Sequence, residues 1–322
     1  MRNVNFDKLE NAGFTVHPLR KENVQACIHL EQKAFNELRI AWHQSQQQPR
    51  REDWLLYQAE YLPENVLVLE KDGTTEGWII VHQWGTLGWM GPVVINPEMQ
   101  GYGLGRTLTE WSLQRMQALS CTTIGLETWA FNYANLGLYL KCGFDMGPLI
   151  GVLEKPVSER KSSSTCFRVN SLERLQESKA GIAALGGTIL PGLDYSFLAG
   201  TLLACRMGEV LLWGDVEEPQ AMAVIRNQPY TTPLSQEFTN VEVLAIQPEY
   251  RNRIGLYLEE IQAAAVDAGK KAVRISVTSA DPAGFRLMVE EFGFRLLKTR
   301  LRMYAEEGRI SPGAVNYLSF SV

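Results

Sequence analysis

The sequence repeats itself after about 150 residues, and this repeat constrains the fold more than any other feature. Three landmarks recur in the same order, namely FTVHPLRKENV (14–24) as FRVNSLERLQE (167–177), INPEMQGYGLG (95–105) as IQPEYRNRIG (246–255), and Gly143-Phe144 as Gly293-Phe294. Their offsets are 153, 151 and 150 residues. Because the register is nearly constant, the chain of 322 residues is predicted to hold two copies of one domain.

The two copies are separated by a segment of different composition. Residues 154–165, EKPVSERKSSST, are charged and rich in serine, as is typical of a linker. We therefore expect a first domain at 1–153 and a second at 166–322.

The apolar pattern of the first half alternates between strand and helix periods. It predicts strands at 14–16, 65–70, 77–83, 87–95 and 122–128, and helices at 23–35, 52–61, 104–119 and 134–141. Gly143 follows the last of these helices, at the position where a glycine commonly ends one.

Composition excludes several classes of protein. A formal net charge of −5 argues against a nucleic-acid groove or an anionic membrane as the partner. Every apolar run is shorter than a membrane span, and the N-terminus lacks the apolar core of a signal peptide. The five cysteines are scattered, which suits reduced thiols and predicts a cytoplasmic protein. No metal-ligand spacing occurs, so no metal is expected.

Three glycines, Gly101, Gly103 and Gly105, stand between a predicted strand and a predicted helix. The first N–H groups of a helix lack partners and attract anions, and glycine lets a ligand approach the backbone closely. The segment is therefore a candidate phosphate-binding loop, although the glycines could also serve the turn alone. A dinucleotide fingerprint would need a third glycine where Arg106 stands, which disfavours that reading.

The segment Gln100-Gly101-Tyr102-Gly103-Leu104-Gly105 resembles the Gln/Arg-x-x-Gly-x-Gly/Ala signature of the GNAT superfamily of acyl-CoA-dependent N-acyltransferases. The likeness extends to Val93-Val94-Ile95 before the loop, and to Asn132, Tyr139 and Gly143-Phe144 after it. Asn135 departs from the pattern, which usually has alanine there. The resemblance covers nearly all of the first half and, more faintly, the second.

This resemblance implies the fold and the cofactor. The fold class would be α/β (α+β), with two tandem GNAT domains, each a mixed, mostly antiparallel sheet flanked by helices. Acetyl-CoA would be the co-substrate. Its pantetheine arm would pair with the backbone of one strand, and its pyrophosphate would rest on the N–H groups of the loop. The cofactor-binding residues would be Val93, Val94, Ile95, Gln100, Gly101, Tyr102, Gly103, Leu104, Gly105, Arg106 and Asn132.

The same resemblance implies the catalytic groups. A lysine-like amine has a pKa of ~10.4 and must lose a proton before it attacks the thioester. Glu127, at the end of the strand beside the expected thioester, is the first candidate base, and His82 is a weaker one. Tyr139 matches the family's position for protonating the leaving thiolate.

The second copy lacks these groups. Only Gly255 remains of the three loop glycines. Counting back from the shared Gly-Phe pair puts Val277, Pro282 and Val289 at the places of Glu127, Asn132 and Tyr139. The second domain is therefore predicted to keep the fold and lose catalysis, and to serve as a structural unit or as one wall of the acceptor pocket.

The sequence thus predicts an acetyl-CoA-dependent N-acetyltransferase whose N-terminal domain is active on a small-molecule or peptide amine. A non-catalytic acyl-CoA-binding protein is the alternative, and a nicotinamide-dependent dehydrogenase is less favoured. Residues 34–53 are expected to belong to the mobile helices that select the acceptor. Trp42, His43, Arg50 and Arg51 are either substrate contacts or a solvated loop.

Overall fold

The computed structural model describes residues 6–157, 166–232 and 236–319. The first half contains α1 (Asp7–Asn11), β1 (Phe14–Pro18), α2 (Val24–Ala41), α3 (Glu52–Tyr61), β2 (Val66–Lys71), β3 (Thr74–Trp84), β4 (Leu87–Ile95), α4 (Leu104–Ala118), β5 (Thr123–Thr128), α5 (Tyr133–Lys141) and β6 (Asp145–Pro156). The second half contains β7 (Phe167–Val169), α6 (Leu172–Ile189), α7 (Ser196–Ala204), β8 (Gly208–Gly214), β9 (Pro219–Arg226), β10 (Phe238–Ile246), α8 (Ile254–Asp267), β11 (Ala272–Thr278), α9 (Pro282–Arg286), β12 (Arg295–Glu306) and β13 (Val315–Leu318).

The predicted elements of the first half are confirmed, and most boundaries agree within two residues. The limits of α3 and β4 agree at both ends, whereas α2 runs six residues further than expected, from the predicted end at 35 to Ala41. Helix α4 shows why the pattern works. Its residues Leu104, Leu108 and Met116 are buried against the sheet, since they recur at helical spacing on one face.

All thirteen described strands belong to one sheet. Their order is β1-β2-β3-β4-β5-β12-β6-β11-β10-β9-β8-β7, and β13 pairs with β10 away from this path. Only β4 with β5 and β10 with β11 run parallel among the described pairs. Because β7 to β12 correspond to β1 to β6, the order reads the same from either edge, and the sheet has an approximate two-fold axis at its centre.

At this axis the two halves exchange their last strands. Strand β12 of the second half lies between β5 and β6, and β6 of the first half lies between β12 and β11. Arg300 pairs with Ile150, its own equivalent at an offset of 150 residues, so the axis passes through this pair. Each half therefore completes the sheet of the other.

Because of the strand exchange, the first residues of the predicted linker belong to the sheet. Strand β6 continues through Pro156, which pairs with Ala272 of the second half, so residues 154–156 are strand. The rest of the predicted linker, 158–165, lies outside the described residues. The division into 1–153 and 166–322 stays a prediction about the repeat.

The halves also share a core on one face of the sheet. Leu55 of α3 and Trp78 of β3 belong to the same buried apolar cluster as Ile182 of α6, Leu202 of α7 and Val224 of β9. The opposite face has two separate cores, one under α4 and one under α8. Within the described part of the chain, no helix combines the length and the apolar character that crossing a bilayer requires.

Candidate active site

A cleft opens where two strands of the first half diverge. Strands β4 and β5 pair only over Leu87–Trp89 and Thr123–Gly125. Beyond Trp89, no described strand pairs with this edge of β4, although the strand continues to Ile95. The cleft has an empty volume, open to solvent, of about 1150 Å³ and is lined by residues of α2, β4, β5, α5 and β12.

The glycine loop follows β4 after a short 3-10 turn at Pro97–Met99. Gly101 and Gly103 have φ angles of 86° and 85°, a left-handed conformation that side chains disfavour. Gly103 is the N-cap of α4, so the loop delivers the free N–H groups of the helix start to solvent. The left-handed glycines and the helix start are thus observed, and the binding of an anion by this loop stays a prediction.

The other loop residues differ in their surroundings. Leu104 is buried, and Tyr102 is 74% exposed. A Cβ on Gly105 would lie 3.4 Å from Leu138, so this glycine allows α4 to approach α5. The Arg106 side chain is paired with Glu110 at 2.7 Å on the exposed face of α4, and its contact with a phosphate stays a prediction.

Tyr139 lies on α5 and lines the cleft, with its ring packed edge-on against Phe144 at 6.0 Å. Burial raises the pKa of its phenol. The hydroxyl therefore stays protonated at neutral pH and is available as a hydrogen-bond donor, and its role as the acid stays a prediction.

Asn132 also lines the cleft and caps α5. Its side-chain oxygen accepts a hydrogen bond from the N–H of Asn135 at 3.2 Å. The capping role is thus observed, and the pantetheine contact stays a prediction. Val93 lines the cleft as well, whereas Val94 is buried.

Glu127 lies in the cleft wall between two arginines of β12. Its Oε1 accepts hydrogen bonds from Nη2 and Nε of Arg302 at 2.7 and 3.1 Å, and its Oε2 accepts one from Nη1 of Arg300 at 3.1 Å. The Glu127 side chain is only 2% exposed. Both carboxylate oxygens thus accept hydrogen bonds from guanidinium groups, and the role of Glu127 as the base stays a prediction.

Both arginines and Lys298 belong to the second half, and the strand exchange places Lys298 and Arg300 in the lining of this cleft. Sequence reasoning missed them, although Lys298, Arg300 and Arg302 alternate as residues of one strand face do. The equivalent positions of β6 are apolar, namely Pro148, Ile150 and Val152. The cations are therefore specific to the first half's cleft.

Besides Arg300, the cations Lys298 and Arg39 line the cleft. Lys298 is exposed to solvent but crowded by protein, and partial burial together with Arg300, Arg274 and Arg39 lowers its pKa to about 8. Arg39 of α2 lies over the ring of Trp129 at 5.4 Å. Trp129 packs in turn against Trp42 at a ring-centroid distance of 4.9 Å.

His82 faces a different cavity. This second cavity, of about 490 Å³ empty volume, lies between the halves and is also lined by Tyr230 and Glu242. Burial lowers the pKa of His82 to about 4, and its Nε2 lies 3.0 Å from the carbonyl oxygen of Gly91. The residue is thus neutral at physiological pH and lies behind the cleft wall.

The segment predicted to be a mobile acceptor loop is bound to the protein at its end. Arg50 makes two hydrogen bonds of 2.7 Å to Glu31, and both side chains are 2% exposed. The Arg51 N–H bonds to the carbonyl of Tyr230 in the second half at 2.8 Å. Both arginines are therefore structural, and the interpretation as a solvated loop is wrong for them.

In the second copy, the residues equivalent to Glu127, Asn132 and Tyr139 differ from those expected by counting back from the Gly-Phe pair. Asp281 caps α9 as Asn132 caps α5, so these two residues are equivalent. Ser276 pairs with Val152, and Glu127 pairs with Arg302. Because Val152 and Arg302 are equivalent, Ser276 is the equivalent of Glu127. The Phe294 N–H bonds to the carbonyl of Met288 as that of Phe144 bonds to Tyr139. The expected equivalents Pro282, Val277 and Val289 are each off by one residue, because a π-helical turn at Leu287–Glu291 absorbs an extra residue.

The corresponding cleft of the second half is occupied by the chain itself. Strands β10 and β11 pair over 238–241 and 272–275, and from Val243 onward β10 pairs with β13 instead. Leu244, Ala245 and Ile246, the equivalents of Val93, Val94 and Ile95, pair with Tyr317, Asn316 and Val315. The strand edge that is open in the first copy is therefore closed in the second.

The second loop has also lost its left-handed residues. No residue of the fully described segment 247–253 has a positive φ, and Pro248–Arg253 form a 3-10 helix that leads into α8. Arg253 stands at the N-cap, where the first copy has Gly103. The second copy thus lacks both the open edge and the glycine loop.

Known proteins share this architecture. The family model described as the acetyltransferase (GNAT) family matches residues 25–144. No curated protein matches the chain. A protein of Pyrococcus horikoshii described as an acetyltransferase is 14% identical, with 96% of this chain and 95% of that chain covered and a TM-score of 0.62.

Two further solved structures are similar. A GCN5-related N-acetyltransferase of Sphaerobacter thermophilus is 14% identical, with 92% of this chain and 96% of that chain covered and a TM-score of 0.58. A tandem GNAT protein from the clavulanic acid biosynthesis pathway is 10% identical, with 91% and 99% covered and a TM-score of 0.55. Residues 25–144 therefore resemble the GNAT acetyltransferase family, and the fold of the chain is that of tandem GNAT proteins.

Proposed function

We propose that the first half transfers an acetyl group from acetyl-CoA to a primary amine by direct attack, and that the second half has no catalytic site. The observation that carries this proposal is the contrast between the copies. The first has an open β4 edge and two left-handed loop glycines, whereas the second has its edge paired with β13 and its loop in 3-10 helix.

The cofactor would lie along the open edge of β4. Its pantetheine amides would pair with the backbone of Val93–Ile95, as β13 pairs with the equivalent residues of the second copy. Its pyrophosphate would receive hydrogen bonds from the N–H groups between Gln100 and Arg106. Among the described residues, no group of three or more His, Cys, Asp or Glu is placed to hold a metal ion.

The chemistry would take place at the Tyr139 end of the cleft. The neutral amine attacks the thioester carbon, a tetrahedral intermediate forms, and the C–S bond then breaks with release of the thiolate. The Tyr139 hydroxyl would donate to this sulfur. The amine proton would leave through water or through a carboxylate, for which Glu127 remains the sequence-based candidate despite its two arginine partners.

The alternative, a non-catalytic acyl-CoA-binding protein, predicts cofactor binding without turnover. The presence of a protonated tyrosine in the cleft favours the enzyme. A cytoplasmic location is part of the proposal, supported by the scattered cysteines, all five of which are free.

The experiment is calorimetric titration with coenzyme A and acetyl-CoA, followed by a thiol-release assay over an amine panel. One molecule of cofactor should bind per chain. Gly103→Ala should weaken this binding at least tenfold, because alanine disfavours the left-handed φ by ~1–2 kcal/mol and a shifted loop loses its aligned donors.

Gly269→Ala is the matched control. Gly269 also has a left-handed φ, of 69°, and open space around it, but it lies after α8 in the second half. Its variant should be destabilised similarly and should bind the cofactor normally. Two cofactor molecules per chain, or equal binding by the two variants, would contradict the proposal.

A further inference from the structure

The cleft of the first half is unusually basic for an acidic chain. Its lining includes three cations, namely Arg39, Lys298 and Arg300. Arg302 binds Glu127, the same carboxylate that Arg300 contacts. The carboxylates of the lining are already used, since Glu127 is paired with Arg300 and Arg302, and Glu31 is paired with Arg50. Positive charge thus exceeds negative charge in the lining, although the whole chain carries −5.

Two of the cations have capacity to bind a ligand. The Nε of Arg39 is buried and has no hydrogen-bond partner, while its Nη1 donates to the carbonyl of Ser45 at 3.1 Å. Because Arg39 lines the cleft and its only described hydrogen bond is that of Nη1, its guanidinium keeps donors for an anion. Lys298 takes part in no described ion pair, and the charged groups that shift its pKa are the cations Arg300, Arg274 and Arg39.

These cations lie at the reacting end of the cleft. The lining includes Met90 to Val93 of β4 and Tyr139, and none of the residues 96–106, all of which are described, belongs to it. The glycine loop, where the pyrophosphate is proposed to bind, lies at the other end of β4. The positive charge therefore faces the acceptor rather than the phosphates of the cofactor.

We propose that the acceptor amine carries an anionic group, a carboxylate or a phosphate, and that Lys298 and Arg39 bind this group while Arg300 adds to the field. The inference rests on the proposed function and specifies its substrate class. The second half thereby supplies a specificity residue to the first half's reaction, through the exchanged strand β12.

The lowered pKa of Lys298 gives the proposal a pH signature. Partial burial, together with Arg300 on its own strand, Arg274 on β11 and Arg39 on α2, brings this pKa to about 8. Glu154 is held by Arg274 at 2.8 Å, and Glu127 is held by β12. A bound anion favours protonated lysine, so binding near pH 8 takes up a proton, and affinity falls as the pH rises through 8.

The test uses matched pairs of acceptors with the full-length protein and acetyl-CoA. Each amino acid of a panel is compared with its carboxamide, and phosphoethanolamine is compared with ethanolamine, so that the two sources of anion are distinguished. The anionic members should show KM values about 10- to 100-fold lower, the range of a charge-assisted hydrogen bond.

The variants are Lys298→Met, Lys298→Arg and Arg295→Met. The methionine variant should lose the preference for anions and the proton uptake near pH 8, whereas the arginine variant should keep the preference. Arg295 is the control, since it lies on the same strand, is 72% exposed and does not line the cleft. Its variant should behave as the wild type.

Equal KM values within the pairs, or a Lys298→Met variant that keeps the preference, would overturn the inference and leave the proposed function intact. If the protein binds acetyl-CoA and acetylates none of the panel, calorimetry of the same pairs on the cofactor-loaded protein decides. Stronger binding of the anionic members supports the inference, and equal or absent binding overturns it. Failure to bind acetyl-CoA refutes the proposed function itself.

Discussion

Replacing Glu127 with glutamine should destabilise the protein strongly, because this carboxylate neutralises two arginines at the junction of the halves. Its side chain is 2% exposed, and those of Arg300 and Arg302 are 10% and 9% exposed. The three hydrogen bonds join β5 of the first half to β12 of the second. Arg302 also donates to the carbonyl of Leu318 in β13 at 3.1 Å.

The magnitude follows from what the substitution leaves behind. Glutamine keeps a hydrogen-bond acceptor but removes the charge, so two nearly buried guanidinium groups lose their counterion. Breaking a buried ion pair by removing one partner costs about 3–5 kcal/mol. We expect Glu127→Gln to lower the free energy of unfolding by about 3 kcal/mol, since one neutral hydrogen bond can persist.

Denaturant unfolding is monitored by tryptophan fluorescence. Trp89 reports on this junction, because Arg302 lies 5.4 Å from its ring. Glu98→Gln is the control, as Glu98 is 76% exposed and pairs with Lys33 on the surface. It should unfold as the wild type does. A Glu127→Gln protein within about 1 kcal/mol of the wild type would refute the reasoning about the ion pair.

The same variant tests the base assignment. If Glu127 removes the amine proton, Glu127→Gln should abolish the acidic limb of the pH–rate profile in protein that remains folded. If the carboxylate only holds β12, the rate should fall while the shape of the profile stays unchanged.

Three further predictions concern single residues and the last strand. Tyr139→Phe should lower kcat in the thiol-release assay while leaving acetyl-CoA affinity unchanged, and adding Met288→Tyr should not restore activity because β13 occupies the second cleft; restored turnover would contradict this. Truncation before Val315 should lower the melting temperature, since Val315, Tyr317 and Leu318 are at most 4% exposed and burial stabilises each by ~1.5–3 kcal/mol; an unchanged melt would show that β13 is dispensable. The pKa of His82 is about 4 in the folded protein and near 6.5 in the unfolded chain, so the free energy of unfolding falls as the pH drops below 6.5. His82→Gln should remove up to about 3 kcal/mol of this loss at pH 4, which unfolding at pH 7 and pH 4 measures. An equal loss in both proteins would contradict this prediction.

Local features of the site were predictable because short-range physics decides them. The left-handed φ of Gly101 and Gly103 follows from the need of a strand-to-helix turn for residues without a Cβ. The cap at Asn132 and the inward side of α4 follow from spacing along one helix. The repeat likewise predicted two copies of one fold, and the structure confirms the element order in both.

Counting along the chain failed because an extra residue in the second copy is balanced by a shorter helix, since α8 has 14 residues where α4 has 15. The offset of 150 between the copies is therefore the same at the start of these helices and at the Gly-Phe pair. The π-helical turn at Leu287–Glu291 shifts the equivalents of Glu127, Asn132 and Tyr139 by one position. The conclusion about chemistry survives, because Met288 cannot donate a proton and Ser276 is not a carboxylate. The hydrogen bonds of the structure were needed to identify which residues of the second copy are equivalent to Glu127, Asn132 and Tyr139.

By itself, the sequence determined the elements, their order in two copies, the glycine loop and the position of Tyr139. Only the tertiary structure decided that β6 and β12 exchange places, that Glu127 is held by Arg300 and Arg302, and that β13 closes the second cleft. The physical reason is that a strand's alternation specifies which face is buried but not which edge it pairs with. Because β6 and β12 descend from the same position of the repeat, either could complete either half, and the choice depends on contacts between residues about 175 positions apart in sequence.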